Sequence, residues 1–206
     1  MKNTNHSLFD KYEMIKDLGT GSSGSVTLVR HISMDQERAL KKVPKASAFA
    51  ESALSEARLL KSLEHPSIPR IFDFEEDDAF YYIVEEYIDG ETLDSFLLHQ
   101  QLISPGLFFN ICEQLCNVFI YLHTQISTPI IYRDLKPEHI IVCHNKLKLI
   151  DFGVSAYVIQ DGNNFNHYGN IEFSAPECFT EDTITPAADI YSLGQLLQYI
   201  LTFTPD

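Results

Sequence analysis

The stretch Tyr132-Arg133-Asp134-Leu135-Lys136-Pro137-Glu138-His139 decides the fold. It is a charged run followed at once by the apolar Ile140-Ile141-Val142. Its Arg133 and Lys136 are two of only four bases in residues 85–206, the others being Lys146 and Lys148, against sixteen acids. Residues 1–84 hold eleven bases and thirteen acids, so the formal charge of −14 belongs almost wholly to the second part. Such a balance argues against nucleic acid as a partner, because phosphate neutralisation needs a basic face. At 206 residues, 45% hydrophobic and 21% charged, the chain has the composition of a folded protein. It has room for one ordinary domain, or one domain of two small lobes.

Upstream, the pattern is mostly that of strands. Tyr12 to Leu18 is β-compatible, Gly19 to Gly24 forms a glycine turn, and Ser25 to Val29 alternates with β-branched residues. A third strand covers Glu37 to Val43. Ala53, Leu54, Ala57, Leu60 and Leu63 then recur at helical spacing, predicting a helix over 48–63 that stops before His65-Pro66. Strands over 68–74 and 80–87 follow. Beyond the joint at Asp89-Gly90 the periodicity is helical over 93–98, 107–123 and 187–202. Short apolar strands lie around Ile140-Ile141-Val142 and Lys148-Leu149-Ile150. A stretch rich in turn residues runs from Ser155 to Phe173.

Several further motifs occur in a fixed order around the opening one. Gly19-Thr20-Gly21-Ser22-Ser23-Gly24 lies between two strands, which disfavours the dinucleotide-binding reading, where the third glycine opens a helix. Ala39-Leu40-Lys41 sits on the third strand and Glu56 in the helix after it; alternation sends Lys42 to the opposite sheet face. Asp151-Phe152-Gly153, Ala175-Pro176-Glu177 and Asp189-Ile190-Tyr191-Ser192-Leu193-Gly194 follow. In this order they resemble a eukaryotic-type protein kinase of the Ser/Thr branch. The run from Tyr82 to Gly90 resembles bacterial members. The fold class implied is α+β, with two lobes. Residues 1–88 form a small antiparallel-sheet N-lobe with one helix, and residues 89–206 a mainly helical, incomplete C-lobe.

The resemblance implies ATP as phosphoryl donor, Mg²⁺ or Mn²⁺ as metal, and a protein Ser/Thr hydroxyl as acceptor. It assigns Gly19, Gly21 and Gly24 to the phosphates and Lys41, oriented by Glu56, to the α/β-phosphates. Val26, Ala39 and Ile141 would sandwich adenine, and the backbone at Glu86 and Ile88 would bond to it. Asp134 would take or orient the hydroxyl proton, Lys136 would neutralise charge near the γ-phosphate, and Asp151 would bind metal. The acidic second part suits basic substrates.

The sequence also departs from that family. His139 stands where an asparagine supplies oxygen to a second metal, and imidazole nitrogen suits softer ions than Mg²⁺. Tyr132 replaces a histidine at a packing position. Glu85 falls behind adenine, where a buried carboxylate needs a partner or a proton. Asn170 replaces a threonine, and Ser155, Tyr157, Tyr168 and Ser174 are the only hydroxyls between Val154 and Ala175. The chain stops after the helix at 187–202, which leaves that helix open to a partner chain and Glu177 without an arginine. Two readings therefore stand: a Ser/Thr protein kinase, and a pseudokinase that binds nucleotide or a partner without transfer.

No secretory signal and no apolar run of membrane-spanning length occur. The four cysteines are too few and too scattered for a disulfide framework, and read as buried free thiols in a reducing compartment, the cytoplasm.

Overall fold

A computed structural model describes residues 8–21, 24–100, 102–157, 170–180 and 184–203. Ser22, Ser23, Tyr168 and most of the turn-rich stretch lie outside them. The chain divides into two compact units, Met1–Glu64 with Pro69–Tyr87, and His65–Ile68 with Ile88–Asp206.

The first unit is a five-stranded antiparallel sheet. After one helical turn, α1 (Leu8–Lys11), the strands are β1 (Tyr12–Gly21), β2 (Gly24–His31) and β3 (Gln36–Pro44); then, past the helix α2 (Ala50–Ser62), come β4 (Ile71–Glu76) and β5 (Phe80–Glu86). Their spatial order is β1-β2-β3-β5-β4. Both faces are covered. Leu8, Tyr12, Val29, Leu40, Tyr82 and Val84 pack on one, while Val43 and Ile83 meet Ala53 and Ala57 of α2 on the other. Alternation along each strand produces that split, since neighbouring residues leave opposite faces. β4 begins three residues later than its apolar pattern predicts. Ile68 belongs to a turn in which its N–H donates to the His65 carbonyl at 3.0 Å, and Pro69 has no N–H for a ladder.

The second unit is mainly helical. Its elements are β6 (Glu91–Thr92), α3 (Leu93–Leu98), α4 (Pro105–Ile120), β7 (Ile130–Ile131), β8 (Ile140–Cys143), β9 (Lys146–Leu149), β10 (Ala156–Tyr157), α5 (Glu177–Thr180) and α6 (Ala187–Thr202). α4 starts two residues before its periodicity does, because Ser104 caps it: the hydroxyl accepts from the Leu107 N–H at 3.2 Å, and Pro105 fits the first turn. It passes into a π-helical turn at Tyr121–Gln125. Gly90 packs so close to β8 that a Cβ would lie 2.4 Å from the Val142 carbonyl oxygen. α6 has the predicted bounds; it buries Ala188, Asp189, Ser192, Leu193, Leu196 and Ile200 and exposes Ile190 and Leu201.

All four cysteines are free, but only Cys178 is buried. Cys116 is exposed because the buried stripe of α4 runs through Ile111, Leu115, Val118 and Phe119, and the cysteine flanks it. Burial pushes the Cys178 thiol above its ordinary range.

Candidate active site

In the first unit, Lys41 projects from β3 and meets Glu56 on α2, with Nζ 2.8 Å from Oε2. Glu56 is 9% exposed. A carboxylate so poorly hydrated needs a charged partner, and the lysine is it. Val26 lies directly opposite Lys41 on β2, and Ala39 precedes Lys41 by two residues, so all three share the face that α2 covers. Lys42 leaves the other face and sets its ammonium 4.0 Å from the centre of the Phe80 ring.

Gly24 has a structural reason of its own. Its φ is +148°, and a Cβ there would fall 2.1 Å from the Lys42 carbonyl oxygen. The glycine is therefore required for β2 to pack on β3, whatever it does toward a phosphate. Glu85, read as a buried carboxylate, is only partly buried on β5, opposite Ala39. The Glu86 N–H donates to the Arg70 carbonyl at 2.9 Å.

In the second unit the loop at 132–139 hangs from one buried side chain, Asp189 on α6. Its carboxylate, fully buried, accepts from the N–H groups of Tyr132 at 2.8 Å and Arg133 at 2.9 Å, and lies 2.8 Å from His123 Nε2. Three partners meet the lone pairs that burial would otherwise leave without water. Arg133, held this way, sits at φ +75°, a left-handed conformation that costs a non-glycine residue energy and persists where surroundings fix it.

The loop is also tied to residues 150–155. The Tyr132 hydroxyl donates to the Ile150 carbonyl, and its ring meets Phe152 edge-on at 5.0 Å. The Ser155 hydroxyl donates to the Tyr132 carbonyl at 3.1 Å, and the Arg133 guanidinium to the Val154 carbonyl at 3.3 Å. Tyr132 thus packs, as expected, and bonds as well. Asp151 adopts φ +61°, and its Oδ1 accepts from the Gly153 N–H at 3.2 Å, leaving the side chain 55% exposed.

Asp134, Lys136, His139 and Asp151 come together. Lys136 Nζ is 3.2 Å from Asp134 Oδ2. His139 Nδ1 lies 3.0 Å from the Asp134 carbonyl oxygen and 3.4 Å from Oδ2, and its Nε2 is 3.5 Å from Asp151 Oδ2. With Nδ1 bonded to the carbonyl, Nε2 is the ring nitrogen that faces the Asp151 carboxylate. The half-exposed oxygens of Asp151 suit one hard cation that keeps part of its water. A second hard cation at His139 meets nitrogen in place of oxygen, which does not fit Mg²⁺. Among the described residues, no group of three or more His, Cys, Asp or Glu side chains converges as a metal site. Asn170, in place of the expected threonine, holds its own turn: Oδ1 accepts from the Glu172 N–H at 2.9 Å.

A buried lysine–glutamate pair joining an antiparallel sheet to its helix, and an aspartate–lysine pair on a helix-anchored loop, are the arrangement of the two-lobed protein kinase class. The family model for the protein kinase domain matches residues 12–205, and the chain belongs to that family. It is 31% identical over 201 residues to the serine/threonine-protein kinase PrkC of Bacillus subtilis, covering 93% of this chain and 30% of that protein. To the kinase ppk25 of Schizosaccharomyces pombe it is 33% identical, over 88% of this chain and 44% of the relative. With PknB of Mycolicibacterium smegmatis the identity is 30%, over 96% and 33%. The chain therefore spans between 30% and 44% of the length of these relatives.

Proposed function

We propose that this domain transfers the γ-phosphoryl group of ATP to a serine or threonine hydroxyl of a protein. The observation that carries the reading is the buried Lys41–Glu56 pair at 2.8 Å, which orients a single ammonium on the sheet face shared by Val26 and Ala39. In phosphoryl transfer the protein contributes position and charge more than covalent chemistry. Lys41 holds the α/β-phosphates, and the backbone at Gly19, Gly21 and Gly24 follows them. Val26, Ala39 and Ile141 enclose adenine, with the backbone at Glu86 and Ile88 as its polar contacts. Asp134 orients the acceptor hydroxyl and takes its proton, while Lys136 neutralises charge on the group in transit.

Asp151 holds the divalent cation, which supplies Lewis-acid neutralisation of the phosphate oxygens. His139 makes the cation preference differ from that of an all-oxygen site, moving it toward Mn²⁺. The preferred substrate is a basic segment, and the compartment is the cytoplasm, in keeping with four free thiols. Among the described residues no helix is long and apolar enough to cross a membrane. Supporting transfer over the pseudokinase reading are the joined Asp134–Lys136 pair and the named Ser/Thr kinases among the relatives.

Label transfer from γ-labelled ATP, measured in Mg²⁺ and in Mn²⁺, tests the proposal. The reading requires incorporation with one cation at least, higher in Mn²⁺ than in Mg²⁺, with His139→Asn reversing that order. Nucleotide binding without incorporation in either cation would make the pseudokinase reading correct.

A further inference from the structure

Lys146 and Lys148, the remaining bases of the acidic part, take no part in the site above. They are alternate residues of β9, so both leave the same face of that strand. Lys148 Nζ reaches the Ile68 carbonyl at 3.4 Å, and the Leu149 N–H donates to the Ser67 carbonyl at 2.8 Å, joining the segment His65–Ile68 to the strand. On the other side Gln114 joins α4 to the same hairpin. Its amide nitrogen donates to the Asn145 carbonyl at 2.9 Å, and its amide oxygen accepts from the Leu147 N–H at 2.8 Å.

These three walls enclose a groove of about 390 Å³, at the small end of the range for ligand sites. Its titratable lining is His65 and Lys146, with no carboxylate. That is unexpected in a region where acids outnumber bases four to one. Gln114, Asn117 and Ile120 lie three apart along one stripe of α4, a rise of about 9 Å. About three residues of extended chain have that length. His65 adds a donor: its Nδ1 accepts from the Ser67 N–H at 3.1 Å, so the neutral ring carries its proton on Nε2. Burial, and then the Lys148 charge, hold His65 below its ordinary range and keep it in that neutral form.

We propose that this groove docks an acidic peptide segment of a partner protein in extended conformation. Lys146 meets a carboxylate of the segment, the side-chain amide of the exposed Asn117 bonds to its backbone, and the exposed Ile120 receives an apolar side chain. Asn117 and Ile120, three apart on α4, meet a backbone group and an apolar side chain together with the carboxylate at Lys146, a set that a lone small carboxylate lacks. Nucleic acid is disfavoured, because one rim lysine within an acidic surface neutralises too few phosphates. The groove shares no residue with Lys41, Asp134 or Asp151, so the docking is independent of phosphoryl transfer.

The test is fluorescence anisotropy on the full chain, with a fluorescein-labelled octapeptide alternating glutamate and leucine as probe. The expected result is saturable binding that weakens about tenfold in Lys146→Glu and severalfold in Asn117→Asp. Lys61→Glu, an exposed base on α2, and Asp134→Asn leave it unchanged, and the matching lysine–leucine octapeptide does not bind. Absence of saturable binding up to about 1 mM probe overturns the proposal. Equal losses in Lys146→Glu and Lys61→Glu do so too, since they reduce the effect to net charge. Displacement of the probe by free glutamate, or by a single-stranded oligonucleotide, as readily as by unlabelled peptide overturns the choice of ligand.

Discussion

Two buried carboxylates, one in each unit, are satisfied in opposite ways. Glu56 in the sheet-rich unit meets a lysine side chain, a contact between two flexible groups on separate elements. Asp189 in the helical unit meets two backbone N–H groups of one loop and the imidazole of His123 in the turn that follows α4. The first arrangement positions a charge and leaves the backbone independent of it. The second determines the backbone itself, including the left-handed Arg133. Removing Glu56 should therefore be felt mainly in chemistry, and removing Asp189 in structure.

The largest effect expected to separate them is that of Asp189→Ala. It strands two backbone donors and a histidine in a site without water, at about 1–3 kcal/mol each. A loss of about 4 kcal/mol should appear in urea unfolding, along with lost transfer. A variant that keeps its urea midpoint would break the contrast.

Next in size is Glu56→Gln, which keeps shape and removes charge. Phosphate incorporation should fall about a hundredfold, equivalent to about 2.7 kcal/mol, while the loss of stability stays below that of Asp189→Ala. Equal losses in both readouts would show that Glu56 is as structural as Asp189.

Tyr132→Phe sharpens the same comparison inside the loop. It deletes the hydroxyl that donates to the Ile150 carbonyl and keeps the ring against Phe152. About 1 kcal/mol of stability should be lost, with a smaller loss of transfer than in Glu56→Gln.

The smallest effect concerns His65. Its folded pKa lies below the ordinary value of 6.5, so the unfolded chain binds the proton first. Its contribution is present above that value and is lost as pH falls below 6.5 toward the folded pKa. Between about pH 7.5 and about pH 5.5 the urea midpoint should fall less in His65→Gln than in the parent chain.

Much of this was legible in the sequence for reasons that the structure makes plain. The helices α2, α4 and α6 carry a period of 3.6 because each buries one face, and the strands show as short apolar and β-branched runs because the sheet is covered on both faces. The pairing of Lys41 with Glu56 was legible through the resemblance to the kinase family, since charge alone does not distinguish Glu56 from Glu51 on the same helix. Two-residue strands such as β7 and β10, and one-turn helices such as α1 and α5, are too short to show any period. The role of Asp189 was hidden for another reason. Its partners are backbone N–H groups, which every residue possesses, and a histidine 66 positions away. The close approach of Gly24 to Lys42 was invisible too, since a glycine looks the same whether it faces a ligand or a neighbouring strand.

Phosphoryl transfer through Asp134 is tested most directly by Asp134→Asn. Incorporation of label from γ-labelled ATP should be compared in the parent chain and the variant, in the better of Mg²⁺ and Mn²⁺. Incorporation in the variant should be at least about a hundredfold lower, with an unchanged urea midpoint. Incorporation that persists at the parent rate in the variant would contradict it.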